Sequence, residues 1–421
     1  MCQSEGMPEV TADDVDEAAG RLQEAVRVTP LQRSRRLSRL TGLDVWLKRE
    51  DLQPVRSYKL RGAYNFLAQL DSEEAARGAV CASAGNHAQG VAYAAAALGI
   101  RARIYLPRTT PHQKRDRVRA LGGDAVEMVI GGDTYDDAAA AAAQDAVSTG
   151  AVVVPAFDHP RTVAGQGTVA REIVEQLGGV PDTVVVPVGG GGLISGALTW
   201  FGARHPEVRV IGAEPLGAAG MKAAVVSGEP VTLADLDPFV DGAAVRRVGD
   251  TTYSIVDRWR PDLMEIPAGL ICCEMLDLYQ SDGIIAEPAG ALALAALRQG
   301  IDAPDGSTVV CVLSGGNNDV SRYADIVERA LVHEGLKHYF LVEFAQEPGA
   351  LRQFLDEVLG PDDDITRFEY VKRNNRELGP ALVGIELGSP DDLEPLLARM
   401  KDAPPQITRV YPDSPLFQFL M

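Results

Sequence analysis

Thr183-Val184-Val185-Val186-Pro187-Val188-Gly189-Gly190-Gly191-Gly192-Leu193 decides the fold. Its first half is a continuous apolar run without alternation, which reads as a strand buried on both faces, as in a parallel sheet. Four glycines follow and a helix is expected from Ile194. A tight strand-to-helix turn needs only one or two glycines. Four allow positive φ and close backbone approach, and their N–H groups together with the helix dipole make a cradle for an anion. The spacing fits neither a dinucleotide fingerprint nor a Walker loop, since no lysine follows.

The neighbouring chain repeats the strand-to-helix pattern. Ala79–Ala82, Ala102–Leu106, 125–130 and 151–155 read as strands. Helices are expected over 88–98, 112–121 and 134–147. A helix over 168–177 precedes the decisive strand. Arg209 to Ala213 and Thr308 to Leu313 continue the series, with helices over 269–279 and from Glu287. Residues 229–265 read as irregular. Such alternation predicts α/β architecture with open parallel sheets, here in two lobes: a small one over about 55–160 and a large one formed by the remainder. The first ten residues read as disordered, and a capped helix starts after Thr11.

After a helix over 320–333 the order changes. Strand 339–344, helix 348–359, strands 365–372 and 381–387, helix 390–401 and strand 407–410 give β-α-β-β-α-β, the ferredoxin-like order. The expected boundary lies near 330–338. It separates an α/β domain over 11–330 from an α+β domain over 336–421.

Three further stretches carry chemistry. In Ser57-Tyr58-Lys59-Leu60-Arg61-Gly62-Ala63 a lysine is hemmed in by a hydroxyl, a ring and apolar residues at a helix start. Desolvation turns such an amine into a nucleophile able to form a Schiff base. The alternative is a lysine that snorkels from the helix N-terminus. Ala82-Ser83-Ala84-Gly85-Asn86-His87 lies at another strand-to-helix turn. Ser83 and Asn86 can hold a carboxylate or ring oxygen there, or cap the helix. Ser314-Gly315-Gly316-Asn317 closes a strand at its C-terminal end, where ligands sit in open α/β sheets.

The totals exclude several classes. A chain of 421 residues with 46% hydrophobic content supports more than one core. The net charge of −19 disfavours nucleic acid and anionic membranes as partners. No apolar run is long enough to span a bilayer, and the N-terminus does not resemble a signal peptide. The five cysteines, Cys2, Cys81, Cys272, Cys273 and Cys311, form no CxxC pair, so neither a disulfide framework nor a zinc site is expected. A cytoplasmic protein follows.

Taken in order, these stretches resemble the fold type II (tryptophan synthase β-like) pyridoxal-phosphate enzymes. More closely, they are similar to biosynthetic threonine dehydratases, from about Thr29 to the C-terminus. Tyr58 stands where phenylalanine is usual, which keeps the ring. The resemblance implies pyridoxal 5'-phosphate as cofactor, with Lys59 as its Schiff-base partner and the catalytic base. It implies Tyr58 beside the cofactor and Asn86 on its ring oxygen. Gly189, Gly190, Gly191, Gly192 and Leu193 would hold the phosphate, and Ser314 would face the pyridine nitrogen. A neutral serine there does not force that nitrogen to stay protonated, which favours β-elimination. Ser83, Ala84, Gly85 and His87 would surround the substrate carboxylate. The implied reaction turns L-threonine into 2-oxobutanoate and ammonia, the first committed step of isoleucine biosynthesis.

Two departures matter. Ala84 stands where the serine-racemase branch carries a second serine, so racemisation should be weak. The stretch from Glu214 to Ala219 lacks the second acid of that branch's divalent-metal site. No essential divalent metal is therefore expected, although Glu214 remains available to a monovalent ion. The C-terminal piece resembles a single ACT-like regulatory module, carried by 344–351, 373–376 and 383–387. It implies isoleucine as inhibitor and valine as opposing effector, with Gln346, Glu347, Gly349, Asn374 and Asn375 as candidate contacts. The alternative is a module that only builds the interface of a homo-oligomer, a dimer or tetramer. A catabolic serine/threonine dehydratase and a non-catalytic amino-acid sensor are the competing readings of the whole.

Overall fold

The computed structural model describes residues 9–370, 377–412, 414–417 and 420. By internal contacts the chain forms two compact units that divide between Asp319 and Val320. The expected boundary near 330–338 lies further along. The helix Tyr323–His333 packs on the strand Lys337–Ala345 and so belongs to the second unit.

The first unit holds two sheets. The larger runs Leu31–Arg33, Asp44–Arg49, Thr308–Leu313, Thr183–Pro187, Arg209–Pro215, Asp262–Ile266 in spatial order, parallel except for its first pair. The smaller runs Val126–Ile130, Ala102–Leu106, Ala79–Ala82, Val152–Val153 and is parallel throughout. Every residue of Thr183–Pro187 is buried, as the unalternating run predicts. The core on this sheet joins Val184, Val186, Ile194, Phe201 and Val310.

Three helices pack unusually close, and glycine is the reason. A Cβ at Gly165 would lie 2.6 Å from the Arg61 carbonyl oxygen, and one at Gly167 2.9 Å from that of Gly196. The helix Pro160–Leu177 therefore nests against Lys59–Leu67 and Gly192–Arg204. It begins eight residues before the expected 168. Helix-weakening glycines hid its first half, while His159 at the N-cap and proline at the first turn start it. Two more elements correct the irregular reading of 229–265: the helix Asp250–Trp259 and the edge strand Asp262–Ile266.

The second unit carries the sheet Asp364–Tyr370, Leu378–Glu386, Lys337–Ala345, Gln406–Val410, antiparallel throughout, with helices Ala350–Val358 and Leu393–Asp402. That is the ferredoxin-like arrangement. Its core joins Phe340, Val342, Phe354, Val383, Ile385 and Leu396. Among the described residues no helix is long and apolar enough to cross a membrane.

Candidate active site

Lys59 opens the helix Lys59–Leu67. The turn before it is stitched to the loop after the central strand. Tyr58 N–H donates to the Ser314 carbonyl (3.1 Å), Gly316 N–H donates to the Arg56 carbonyl (2.9 Å), and Arg56 takes φ +54°. The helix is anchored from below by a buried charge network. The Arg61 guanidinium grips Glu50 at 2.8 Å through two nitrogens and Glu172 at 2.7 and 2.9 Å. Lys48 reaches Glu172 at 2.5 Å. The anchor fixes where the Lys59 side chain emerges.

It emerges into a cavity of about 680 Å³, within the range of small-molecule sites. Lys59 is half-buried there. Burial lowers its pKa below that of an ordinary amine, and the Glu287 and Asp241 carboxylates oppose the shift. Loss of charge by desolvation is the property a nucleophilic amine needs. Tyr58 lines the same cavity, with its hydroxyl pKa pushed up by burial and then by Glu287.

The asparagine turn forms the second wall. Ser83, Ala84, Gly85, Asn86 and His87 all line the cavity. Gly85 occupies the N-cap of the helix Asn86–Leu98, and no side chain caps it. Ser83 Oγ accepts instead from the Gly85 N–H at 3.2 Å. The capping alternative for Ser83 and Asn86 is therefore not what the chain adopts. The first-turn N–H groups of this helix have no intrahelical acceptor. The His87 ring is held by the backbone: its Nε2 lies 2.9 Å from the Val154 carbonyl, and burial drives its pKa down to about 4. A carbonyl only accepts, so Nε2 carries the proton, and the pKa lowered by burial leaves the ring neutral near pH 7. His87 can offer a carboxylate its backbone N–H but no charge.

The glycine turn forms the floor. Gly189, Gly190, Gly191, Gly192 and Leu193 line the cavity, and the helix Gly192–Arg204 starts there, two residues before the expected Ile194. Gly191 is its N-cap at φ +94°, again with no side-chain cap. Thr252 Oγ donates to the Gly190 carbonyl at 2.6 Å. Thr252 is held by the helix Asp250–Trp259, whose N-terminus is capped by the Asp158 carboxylate at 2.9–3.3 Å. Three helix N-termini thus open on one cavity, and their dipoles favour an anion.

Sequence reasoning did not place Glu287 or Asn317 among the site residues, yet both line the cavity. Glu287 is 5% exposed and accepts from Asn86 Nδ2 at 2.5 Å. Burial first, and the nearby Asp241 second, raise its pKa to about 7, against the Asn86 bond and Lys59. An acid next to a proline that opens an otherwise apolar helix was the available signal. Ser314 is buried, and its hydroxyl donates to the Ala289 carbonyl at 3.2 Å. It is not among the cavity's lining residues, where Asn317 represents its stretch. Glu214 lies elsewhere, fully buried, accepting from Met221 N–H (2.7 Å) and Lys222 N–H (2.8 Å). Its pKa rises to about 7 through burial, and the neighbouring Glu265 adds to the rise. Among the described residues no cluster of three or more His, Cys, Asp or Glu side chains could hold a metal ion.

In the second unit, Gln346 Nε2 donates to the Leu378 carbonyl at 2.9 Å, and Gly349 is the N-cap of Ala350–Val358 at φ +101°. Asn374 and Asn375 lie outside the described residues.

A desolvated amine, uncapped helix N-termini over a glycine turn and an amide donor in one cavity fit a phosphorylated aldehyde. Fold and site define a pyridoxal-phosphate dependent enzyme. The comparisons agree. Residues 22–315 match the family model described as pyridoxal-phosphate dependent enzyme, and residues 328–420 match the C-terminal regulatory domain of threonine dehydratase. The biosynthetic L-threonine dehydratase IlvA of Mycobacterium tuberculosis is 59% identical over 97% of this chain and 95% of its own length. That of Corynebacterium glutamicum is 54% identical over 98% and 95%. Among solved structures, the processed threonine deaminase isoform 2 of Solanum lycopersicum is 36% identical with a TM-score of 0.71, covering 77% of this chain and 96% of its own. A maize serine racemase reaches the same TM-score at 31% identity, over 77% and 99%. The chain belongs to the biosynthetic L-threonine dehydratases of the pyridoxal-phosphate dependent enzyme family.

Proposed function

We propose that this chain deaminates L-threonine to 2-oxobutanoate and ammonia by α,β-elimination of water. The observation that carries the reading is the partly desolvated amine of Lys59 in a cavity ringed by three helix N-termini.

Lys59 would bind the cofactor's aldehyde carbon. The N–H groups of Gly189 to Leu193 would hold its phosphate, Tyr58 would flank its ring and Asn86 would donate to the ring oxygen. Ser314, 3.2 Å from the Ala289 carbonyl, would have to turn its hydroxyl to meet the ring nitrogen. Pyridoxal phosphate bound there would stabilise the negative charge that develops at the substrate α-carbon. The backbone N–H groups of Ser83 to His87 would fix the substrate carboxylate and so orient the Cα–H bond. Lys59, once free, would accept the α-proton at Nζ, and its lowered pKa keeps that nitrogen unprotonated more of the time. Loss of the β-hydroxyl as water would consume one proton, which balances the α-proton taken up at Lys59, and hydrolysis of the released enamine would give the 2-oxo acid and ammonia. Ala84 brings no hydroxyl to the cavity that could return a proton from the other side.

The match of residues 328–420 supports control by a small molecule. We read isoleucine as inhibitor and valine as its opponent, in a cytoplasmic homo-oligomer at the committed step of isoleucine biosynthesis. Release of 2-oxo acid from threonine and from serine, each with and without isoleucine, tests the reading. Threonine turnover suppressed by isoleucine is expected. Turnover indifferent to isoleucine removes the regulatory part, and absence of turnover on both substrates removes the whole.

A further inference from the structure

Asn317 stands four residues beyond the strand Thr308–Leu313. Its side-chain nitrogen lies 2.8 Å from the Val55 carbonyl oxygen and 2.8 Å from Asn86 Oδ1. The two ends of a carboxamide have nearly the same shape, so partners decide which is which. Here the chain of partners is unambiguous. A backbone carbonyl only accepts, so Val55 requires the NH2 end of Asn317. The second N–H of that group then requires an acceptor at Asn86, which must be its carbonyl oxygen. Asn86 is left with its NH2 on the other end, donating to Glu287 Oε1 at 2.5 Å in the cavity wall.

We propose that Asn317 is a positioning residue: by holding the carbonyl of Asn86 it makes Asn86 present a donor rather than an acceptor to the ring oxygen of the cofactor. The inference rests on the assignment of Asn86 to that oxygen. A ring oxygen that carries negative charge is stabilised by a donor and repelled by a carbonyl. The Val55 carbonyl thus sets the polarity of the site through two amides in series.

Asn317→Asp keeps the shape and removes both donors. The introduced carboxylate only accepts, so it would draw the NH2 of Asn86 toward itself and leave the Asn86 carbonyl facing the cavity. Asn317→Ser breaks both bonds without adding charge and carries the test if the aspartate variant does not fold. Two readouts are followed in the full chain. One is the affinity of the stripped protein for pyridoxal phosphate. The other is the pH midpoint of the loaded protein's near-visible absorption band. Both variants are expected to weaken affinity about tenfold and to move the midpoint by roughly one unit. In an Asn86→Ala background neither should move it further. A merely structural role for Asn317 would lower the melting temperature and leave the midpoint in place. If Asn86→Ala itself leaves the band unchanged, the assignment of Asn86 falls and this inference with it. If Asn86→Ala shifts the band but the Asn317 variants do not, the positioning role alone is overturned. It is also overturned if their shift persists without Asn86.

Discussion

Gly191→Ala tests whether the glycine turn is shaped by its own protein surroundings. Gly191 sits at φ +94°, in the left-handed region, and a Cβ there would meet Met221 Cε at 2.5 Å, Thr252 Cβ at 2.8 Å and Thr252 Oγ at 2.9 Å. The backbone conformation alone costs an alanine about 1–2 kcal/mol. Overpacking adds about 1–3 kcal/mol, because Met221 can swing but Thr252 is tied to the Gly190 carbonyl. The sum is about 2–5 kcal/mol, which acts where the first-turn N–H groups face the cavity. Gly228→Ala is the control: Gly228 has φ +79° and nothing within 4 Å of a Cβ, so it carries the backbone cost alone. Urea unfolding of both variants, paired with titration of pyridoxal phosphate into the stripped proteins, reads the two effects. Gly191→Ala should be the less stable and should bind the cofactor at least tenfold more weakly, while Gly228→Ala binds normally. If Gly191→Ala matches Gly228→Ala in both, the turn is not packed as described.

The carboxyl of Glu287 titrates near 7 in the folded chain against an ordinary 4.5, so the folded state holds the proton more tightly. Its contribution to stability is complete below pH 4.5 and is lost as pH rises through about 7, an effect of at most about 3 kcal/mol. Glu287→Gln should flatten the fall in stability of the stripped protein between about pH 5 and pH 7.5 without abolishing it, since Glu214 titrates in the same direction. An unchanged slope in urea unfolding would contradict the shift. Arg61→Met leaves Glu50 and Glu172 facing each other with Lys48 as the remaining cation, and should destabilise the chain by about 3–5 kcal/mol. A loss under about 1 kcal/mol in denaturant unfolding would show that the network does not anchor the lysine helix. His87→Asn should leave the pH profile of turnover between about 5 and 7 unchanged, because the ring stays neutral down to about 4. A lost ionisation in that window would place a charged histidine in the reaction.

What the sequence revealed followed the range of the physics involved. The strand Thr183–Pro187 and its glycine turn were legible because burial on both faces and positive φ leave marks on adjacent residues. The ferredoxin-like order of the second unit was legible from period and turn signals. The helix Pro160–Leu177 was half hidden because Gly165 and Gly167 serve its neighbours' backbones rather than its own propensity. The strand Asp262–Ile266 is an edge strand carrying Asp262 and Glu265, so it lacks an apolar run. Lys59, Asn86 and the glycines, which line the cavity, stood out as candidates because each belongs to a contiguous stretch. Glu287 and Asn317 did not, since their contacts with Asn86 span 201 and 231 residues of chain. The tautomer of the His87 ring likewise depends on Val154, 67 residues away.

Everything proposed for the site turns on Lys59 being the amine that carries the cofactor. Borohydride reduction of the protein loaded with pyridoxal phosphate, followed by peptide mapping, reads this out at the residue itself. Loss of the near-visible absorption band and a reduced pyridoxyl group on Lys59 are expected, with no labelling in Lys59→Ala. A pyridoxyl group on another lysine of the native chain, or none, would contradict it.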